Sequence, residues 1–459
     1  MRLSLPTLSA LAGGLVLGLL PCMIASADDG KNPSQSPATK SPAKGTTSRT
    51  KADKAQAKAE EDLPEINLLD AVRDGLVEVN AEGKGDGRMT MTVTNKTRRQ
   101  LRVVLPPGII AQGATGQFGG MGGGGGGMGG GMGGMGGGMR SVPPTGLPFT
   151  TLGPGQSRNL PTRLVSITAP DPEEGLSLPA EGEKLQILDV SKANSDPRVQ
   201  KALKKLAAAK APTSLSQLVM WRVAADLDWN TIFQLSRKWA NRFEITLAQE
   251  FVDHLDDSVD GETGRLLFEV EGTDAATTAM ATEFTKALQG KMVLGLVTAA
   301  GIPAKPAGPT VACKIRLSAS EASVQISGSD ATAMKWLPYG KFSQPVVQEN
   351  GMLDVVKFAD SLADGILNRL VRAQVLKGSA QREKGKLIYQ IRIENASPLI
   401  LNGLAMLGTA SEQDEVAKVL SGIAISPHRT MLVPMHEDVV KSLGLKKGIK
   451  VLALDLSGL

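Results

Sequence analysis

The stretch Met89-Thr90-Met91-Thr92-Val93-Thr94-Asn95-Lys96-Thr97 decides the fold of the first folded part of the chain. Apolar and polar side chains alternate over 89–94, which predicts a strand with one buried face. Residues 95–97 predict a polar turn, and 101–105 predict the returning strand, which Pro106-Pro107-Gly108 ends. Together with further short strands downstream, this pattern predicts a β-sandwich-like module over 63–175, entered by a helix over 64–75.

A similar pattern returns near the C-terminus. Asn95-x-Thr97 is followed by Gly108, and Asn395-x-Ser397 is followed by Gly408 at the same offset. Pro154-x-x-Ser157-x-x-x-Pro161 likewise matches Pro427-x-x-Thr430-x-x-x-Pro434. Two interpretations are open: a duplicated β module, or turn chemistry that two unrelated segments share.

The N-terminus predicts an exported precursor. Arg2 supplies a positive charge, an apolar stretch runs from Leu11 to Ile24, and Ala25-Ser26-Ala27 matches a cleavage site, so 1–27 is predicted to be a signal peptide. The alternative is lipidation at Cys22, where Pro21 stands in place of the expected small residue. Residues 28–62 are rich in Ser, Pro, Ala and Lys and predict a disordered linker, because they offer little apolar surface to bury.

After Asp196 the apolar side chains recur at the spacing of a helix. Four short helices are predicted over 197–210, 214–225, 229–240 and 245–256, within a helical region at 176–258. Trp221, Trp229 and Trp239 fall on these helices. They are interpreted either as core anchors of a small bundle or as an aromatic cage for a ligand.

The second half of the chain predicts two more domains. A strand at 265–271, a helix at 275–289, a strand at 292–297 and a hairpin over 311–328 predict a small β-α-β-β domain within 263–345. A long helix at 353–376 and a C-terminal β module are predicted within 346–459. The expected fold class is therefore α+β with several domains: β-sandwich-like modules near both ends, and a helical bundle and a β-α-β-β domain between them.

Residues 119–139 consist of 16 glycines and 5 methionines. Glycine has high backbone entropy and no side chain to pack, so a flexible loop inserted in the first β module is expected. Clustered thioethers are soft ligands that suit Cu(I), which makes a copper site one interpretation and a passive loop the other. The candidate metal ligands are Met121, Met128, Met132, Met135 and Met139.

A second candidate metal site is Asp256-x-Ser258-x-Asp260-Gly261. It has the early oxygen spacing and the glycine of a calcium loop. Leu267 stands where a calcium loop would place a bidentate glutamate, and a helix end followed by an Asp-Gly turn explains the same residues. For these residues a calcium site is therefore a weaker interpretation than a helix end followed by a turn.

The remaining composition excludes more functions than it indicates. A net charge of +5 and 3% aromatic residues argue against nucleic-acid binding. Removal of Cys22 leaves only Cys313, which sits in the alternating run 311–317 and is expected to be a buried strand residue. The three histidines, His254, His428 and His436, lack the spacing of a metal site, and the sequence contains no nucleophile elbow, phosphate-binding loop or zinc-protease motif.

The runs 92–97, 101–108 and 152–156 resemble β modules in uncharacterised secreted proteins of planctomycete-type bacteria. Met220-Trp221-Arg222-Val223 and the Gly/Met segment are similar too. The resemblance implies a secreted protein and carries no catalytic residue to this chain. A cysteine that it leads us to expect near Arg163–Val165 is absent.

These features predict a non-enzymatic protein of the periplasm, cell envelope or extracellular space that binds or scaffolds other macromolecules. An envelope or extracellular protein is the expected partner; nucleic acid, a membrane span in the mature chain and a cofactor are not expected. Cu(I) handling by the Gly/Met segment is the alternative. A hydrolase is the third hypothesis, and no residue in the sequence supports it.

Overall fold

A computed structural model describes residues 65–85, 87–106, 109–113, 140–142, 149–170, 179–258, 264–346, 348–349, 352–376, 381–383, 386–408, 418–452 and 455–457. The predicted signal peptide, the predicted linker and the Gly/Met segment 119–139 lie outside these ranges. Within them the chain is a mixed α and β protein with several sheets, which confirms the expected fold class.

The first β module contains two sheets and one short helix. One sheet has the order β1-β4-β7, and the other has the order β8-β3-β2-β10-β5-β6-β9. The elements are β1 (Glu65–Asn67), α1 (Leu68–Arg73), β2 (Val77–Gly83), β3 (Arg88–Asn95), β4 (Leu101–Val104), β5 (Ile109–Gly113), β6 (Arg140–Val142), β7 (Phe149–Leu152), β8 (Ser157–Arg163), β9 (Val165–Ser166) and β10 (Lys184–Asp189).

Strand β3 follows the predicted alternation. Its apolar side chains Met89, Met91 and Val93 are fully buried, whereas the threonines between them are half-buried. The buried face packs with Leu101 of β4 and Leu152 of β7, so residues of both sheets share one core. The strands predicted at 89–94 and 101–105 are thus confirmed, because a period of two places one face of each strand against that core.

The helical region follows the one-turn helix α2 (Val190–Ala193). The helices are α3 (Pro197–Ala208), α4 (Thr213–Val223), α5 (Trp229–Ser236) and α6 (Arg242–Asp253). Side chains of Asp196, Asp228 and Asn241 accept backbone N–H groups in the first turns of α3, α5 and α6. These caps fix the helix starts, because the first N–H groups of a helix have no partner within it.

The central domain is built around one sheet and one helix. Its strand order is β12-β13-β11-β14-β15-β16, with β11 parallel to both neighbours. The elements are β11 (Arg265–Gly272), α7 (Ala275–Leu288), β12 (Met292–Val293), β13 (Leu296–Ala300), β14 (Val311–Leu317), β15 (Glu321–Ser329) and β16 (Trp336–Pro345). Cys313 is fully buried in β14, as predicted, and burial raises the pKa of its thiol to about 12.

The C-terminal part shares a core with the central domain. Leu266 and Val324 of the central sheet belong to the same buried cluster as Ile391, Leu401 and Met435. The elements are β17 (Gln348–Glu349), β18 (Met352–Leu353), α8 (Val355–Leu370), β19 (Val371–Val375), β20 (Gln381–Glu383), β21 (Lys386–Asn395), β22 (Ile400–Gly408), β23 (Lys418–Ile425), β24 (Arg429–His436), α9 (Glu437–Ser442), a 3₁₀ turn (Leu445–Lys447), β25 (Ile449–Leu452) and β26 (Asp455–Ser457).

Two helix predictions are wrong in their extent. The helix expected over 353–376 ends at Leu370, and the chain continues as β19, whose residues pair with β21 from Val371↔Asn395 to Val375↔Ile391. The helix expected over 64–75 begins only at Leu68, because residues 65–67 pair in parallel with β4 and Asn67 then caps α1. In both places pairing with a distant strand outweighs the local helical period. No helix within the described ranges is long and apolar enough to cross a bilayer.

Two buried asparagines organise the two β modules in the same way. Asn95 Nδ2 donates to the carbonyls of Arg99, Leu152 and Gly153 at 2.8, 3.1 and 3.0 Å. Asn395 Nδ2 donates to the carbonyls of Leu399, Ile425 and Ser426 at 2.8, 3.0 and 3.1 Å. In each turn the asparagine Oδ1 accepts the backbone N–H and the hydroxyl of the residue two positions later, Thr97 or Ser397.

The strands around the two asparagines also pair in matching register. Val77 lies opposite Asn95 as Val371 lies opposite Asn395, and Thr94 pairs with Ser157 as Glu394 pairs with Thr430. The prolines fit too: Pro161 pairs with Thr90, and Pro434 pairs with Gln390. Agreement in both side-chain bonding and register supports a duplicated module, because shared turn chemistry alone would not fix the pairing of distant strands.

Replacing Asn395 by alanine tests the role of this turn. We expect Asn395→Ala to lower the free energy of unfolding by about 3 kcal/mol, because three buried carbonyls lose their donor and Ser397 loses its acceptor. The measurement is urea unfolding followed by circular dichroism. Asn80→Ala is the matched control: the side chain of this strand residue donates to the exposed Glu78 carboxylate, and we expect a change below about 0.5 kcal/mol. Equal effects of the two substitutions would contradict the role assigned to Asn395.

Candidate functional site

A groove of about 570 Å³ lies between helices α5 and α6 and the turn that connects β15 to β16. Helix α6 forms one wall with a single stripe of side chains, spaced as residues on one face of a helix. That stripe consists of Arg242, Ile245, Thr246, Gln249, Glu250 and Asp253. The other lining residues are Trp229 and Phe233 of α5, and Ala331 and Thr332 of the connecting turn.

The turn that forms the opposite wall is held in a fixed conformation. The Asp330 carboxylate accepts the N–H groups of Thr332 and Met334, each at 3.0 Å, and the Thr332 hydroxyl at 2.8 Å. Thr246 Oγ1 of α6 donates to the Ala331 carbonyl at 2.7 Å and so ties this turn to the helix. The two walls are therefore joined by a direct hydrogen bond, which sets the width of the groove at that point.

Aromatic side chains occupy the α5 side of the groove. Trp229 and Phe233 lie four residues apart and so share one face of the helix. Phe233 leaves 43% of its surface exposed, and Met334, just after the lining residues of the turn, leaves 60% exposed. Large apolar side chains that remain exposed beside a groove are typical of binding surfaces rather than of a closed core.

Charged side chains stand at the two ends of the α6 stripe. Arg242 lies in the first turn of the helix, and Glu250 and Asp253 lie in its last two turns. Burial raises the pKa of the Glu250 carboxyl, and His254, 3.6 Å away, opposes that rise. Within the described part of the chain, the Arg242 and Asp253 side chains have no ion-pair or hydrogen-bond partner. Among the described residues the groove thus has a cationic end at Arg242 and an anionic end at Glu250 and Asp253, where His254 is the one basic side chain paired with a carboxylate.

A neighbouring face of α6 packs on the C-terminal β module. The Glu244 carboxylate, fully buried, accepts from the Asn241 N–H, from Ser214 Oγ and from Arg429 Nη2, at 2.8, 2.8 and 2.7 Å. Asn241 Nδ2 donates to the Pro427 carbonyl at 2.8 Å. These contacts join the helical region to the turn that follows β23.

His428 lies in that same turn. Its ring stacks on Phe243 at 3.7 Å between centroids, and its Nε2 lies 3.1 Å from the Tyr339 hydroxyl. Burial lowers the pKa of His428, and the Glu394 carboxylate partly opposes this shift. Burial also raises the pKa of Tyr339 to about 12. Both groups are therefore held neutral, which suits a packed junction between three parts of the chain.

The residues singled out from the sequence have varied surroundings. The five methionines lie outside the described residues, in the part of the sequence between β5 and β6. Asp260 also lies outside them, whereas the Asp256 carboxylate accepts from Arg198 Nε at 3.2 Å and Ser258 Oγ donates to the Leu255 carbonyl at 2.9 Å. Among the described residues no group of three His, Cys, Asp or Glu side chains could hold a metal ion.

All three tryptophans contact the core of the helical region. Trp221 is buried in it, and Trp239 packs against Trp221 edge-on at 5.7 Å. Trp229 is half-buried against the same core and also lines the groove. The groove itself was not predicted, because Thr246 and Ala331 are 85 residues apart and no local pattern connects them. The nearest signal in the sequence is the pair Trp229 and Phe233, which a helical period leaves on one face.

Comparison with known proteins assigns no family to the chain. No protein-family model matches the sequence, and no curated protein matches it. Among solved structures the chain is similar to TolB from Acinetobacter baumannii at 14% sequence identity and a TM-score of 0.14. The matched region covers 31% of this chain and 41% of the TolB chain, less than half of its length. A likeness of this size carries no information on fold or function.

The buried histidine predicts a pH dependence of stability. Because the pKa of His428 is lower in the folded chain than its usual value near 6.5, the unfolded chain binds the proton more readily, and stability falls as the pH drops through that window. His428→Asn removes the titrating group and tolerates the positive φ of 50° at this position. We expect the melting temperature of the wild type to fall more than that of the variant between about pH 7 and pH 5. Parallel pH profiles would contradict this assignment.

Proposed function

We propose that this chain is an exported, non-enzymatic protein that binds other macromolecules, with the groove along α6 as its docking surface. The observation that carries the proposal is the lining of the groove: the exposed Phe233 beside the half-buried Trp229, and, at the two ends of the α6 stripe, Arg242 and Asp253, which have no ion-pair partner among the described residues. Protein docking sites combine aromatic anchors with a charged rim in this way. The lining residues include no Ser–His or Cys–His pair, so the groove favours binding over nucleophilic catalysis.

Export is supported by the sequence. The charged start, apolar stretch and Ala25-Ser26-Ala27 site of residues 1–27 have the order of a signal peptide. A linker such as 28–62 is a spacer by composition, and it would separate the folded modules from their point of release or attachment. We therefore propose the periplasm, the cell envelope or the extracellular space as the place of action.

Substitution of an exposed aromatic residue tests the docking surface. We expect crosslinked capture from the envelope fraction to recover a protein partner with the wild type and to recover at least about tenfold less with Phe233→Ala, because aromatic anchors dominate docking energies. Val356→Ala is the matched control, since Val356 is also apolar and 70% exposed but does not line the groove. The measurement is quantitative mass spectrometry of the captured proteins. Equal recovery with both variants, or no recovered partner, would reject the groove as the docking surface.

The alternative function, Cu(I) handling, rests on the five methionines of 119–139. Thioether sulfur is a soft ligand that prefers Cu(I) over harder cations. Under this proposal, deletion of 119–139 lowers the affinity for Cu(I) by at least about tenfold. Competition titration against a Cu(I) chelator measures this change, and replacing the five methionines by leucine is the control that keeps the segment length. Unchanged Cu(I) affinity in both variants would end this alternative.

A further inference from the structure

The charged residues of the groove are separated along helix α6. Glu250 follows Arg242 by eight residues and Asp253 follows it by eleven. At a rise of 1.5 Å per residue, these separations correspond to about 12 and 16 Å along the helix axis. An extended peptide spans about 3.3 Å per residue. Four or five residues of such a peptide therefore cover the distance from the cationic end to the anionic end.

The anionic end can accept a basic side chain. Glu250 is partly buried beside the exposed Asp253, and its only cationic neighbour among the described residues is His254, which is charged only when protonated. Two carboxylates in this arrangement attract a lysine or arginine and repel phosphate groups. This argues against a nucleic acid as the occupant of the groove.

The groove also offers surface that can pack against a peptide backbone and its apolar side chains. Phe233 and the half-buried Trp229 present aromatic surface from α5, and Gln249, which lies between Arg242 and Glu250 on α6, offers an amide for backbone hydrogen bonding. The opposite wall is already fixed by Asp330 and by the bond from Thr246 to Ala331. A preformed groove of this kind loses little entropy when a short segment binds.

We propose that the groove binds an extended peptide segment of a partner protein, with a lysine or arginine at Glu250 and Asp253 and an acidic side chain four or five residues away at Arg242. This deepens the proposed function and rests on it. The middle residues of the segment pack on Trp229 and Phe233. The pattern is a basic and an acidic residue separated by three or four apolar or small residues.

The test uses fluorescein-labelled peptide pools and the full chain without residues 1–27. One pool carries Lys and Glu separated by four mixed apolar and small residues; three matched pools carry Gln at the acidic position, at the basic position, or at both. Fluorescence anisotropy measures the affinity of each pool. We expect the doubly charged pool to bind most tightly, by about fivefold over each singly charged pool.

Two variants supply opposite controls on the same groove. The double variant Asp253→Asn, Glu250→Gln lowers the affinity for the pools that contain lysine by about fivefold and leaves the affinity for the pool with Glu alone unchanged. Arg242→Gln lowers the affinity for the pools that contain Glu by about fivefold and leaves the affinity for the pool with Lys alone unchanged. Because each variant is the control for the other, a general loss of folding cannot produce this crossover. No binding by any pool, or binding that neither variant changes, would overturn the peptide proposal.

The peptide test and the capture experiment fail independently. A partner whose capture depends on Phe233, together with no peptide binding, leaves the docking surface in place and rejects a peptide segment as its occupant. A glycan or a folded surface would then be the ligand. Loss of both results rejects the proposed function itself.

Discussion

The ion pair between Glu244 and Arg429 is the contact on which the arrangement of the helices and the C-terminal module depends. A fully buried carboxylate is unfavourable by several kcal/mol unless cations and donors surround it. Here Asn241, Ser214 and Arg429 supply those donors from the N-cap of α6, from α4 and from the first residue of β24. Because Glu244 also belongs to the capping box at the start of α6, the same carboxylate sets where that helix begins and what it faces.

The orientation of α6 then determines what the rest of its surface can do. One stripe of the helix is committed to Glu244, Phe243 and the C-terminal turn. The adjacent stripe is left facing α5 and the β15–β16 turn, where the groove forms. The groove thus arises where three parts of the chain meet, and contacts between domains are a frequent place for ligand sites. The hydrogen bonds around the buried Glu244 carboxylate hold α6 in place and so stabilise the wall of the groove that α6 forms.

Local sequence patterns predicted the elements well and their contacts poorly. The alternation of 89–94 and the capped starts at Asp196 and Asp228 are properties of a few neighbouring residues, so the strand and the helices could be predicted. The end of α8 could not, because it depends on the pairing of β19 with β21 about twenty residues later. The two walls of the groove meet through residues 85 positions apart, and Glu244 and Arg429 are 185 positions apart. Local sequence patterns do not indicate contacts between residues so far apart in the chain.

The prolines of the duplicated module have a consequence for self-association. A β unit that occurs twice in one chain, and again in every neighbouring molecule, offers its outer strands as templates for one another. In the described sheets β8 and β24 are each bonded to one strand only, and each carries a proline, Pro161 or Pro434, at the matching position. A proline has no N–H, so the outward row of donors is interrupted in both copies. Each of these two edges is therefore a poorer template for a further strand than an uninterrupted edge of the same length.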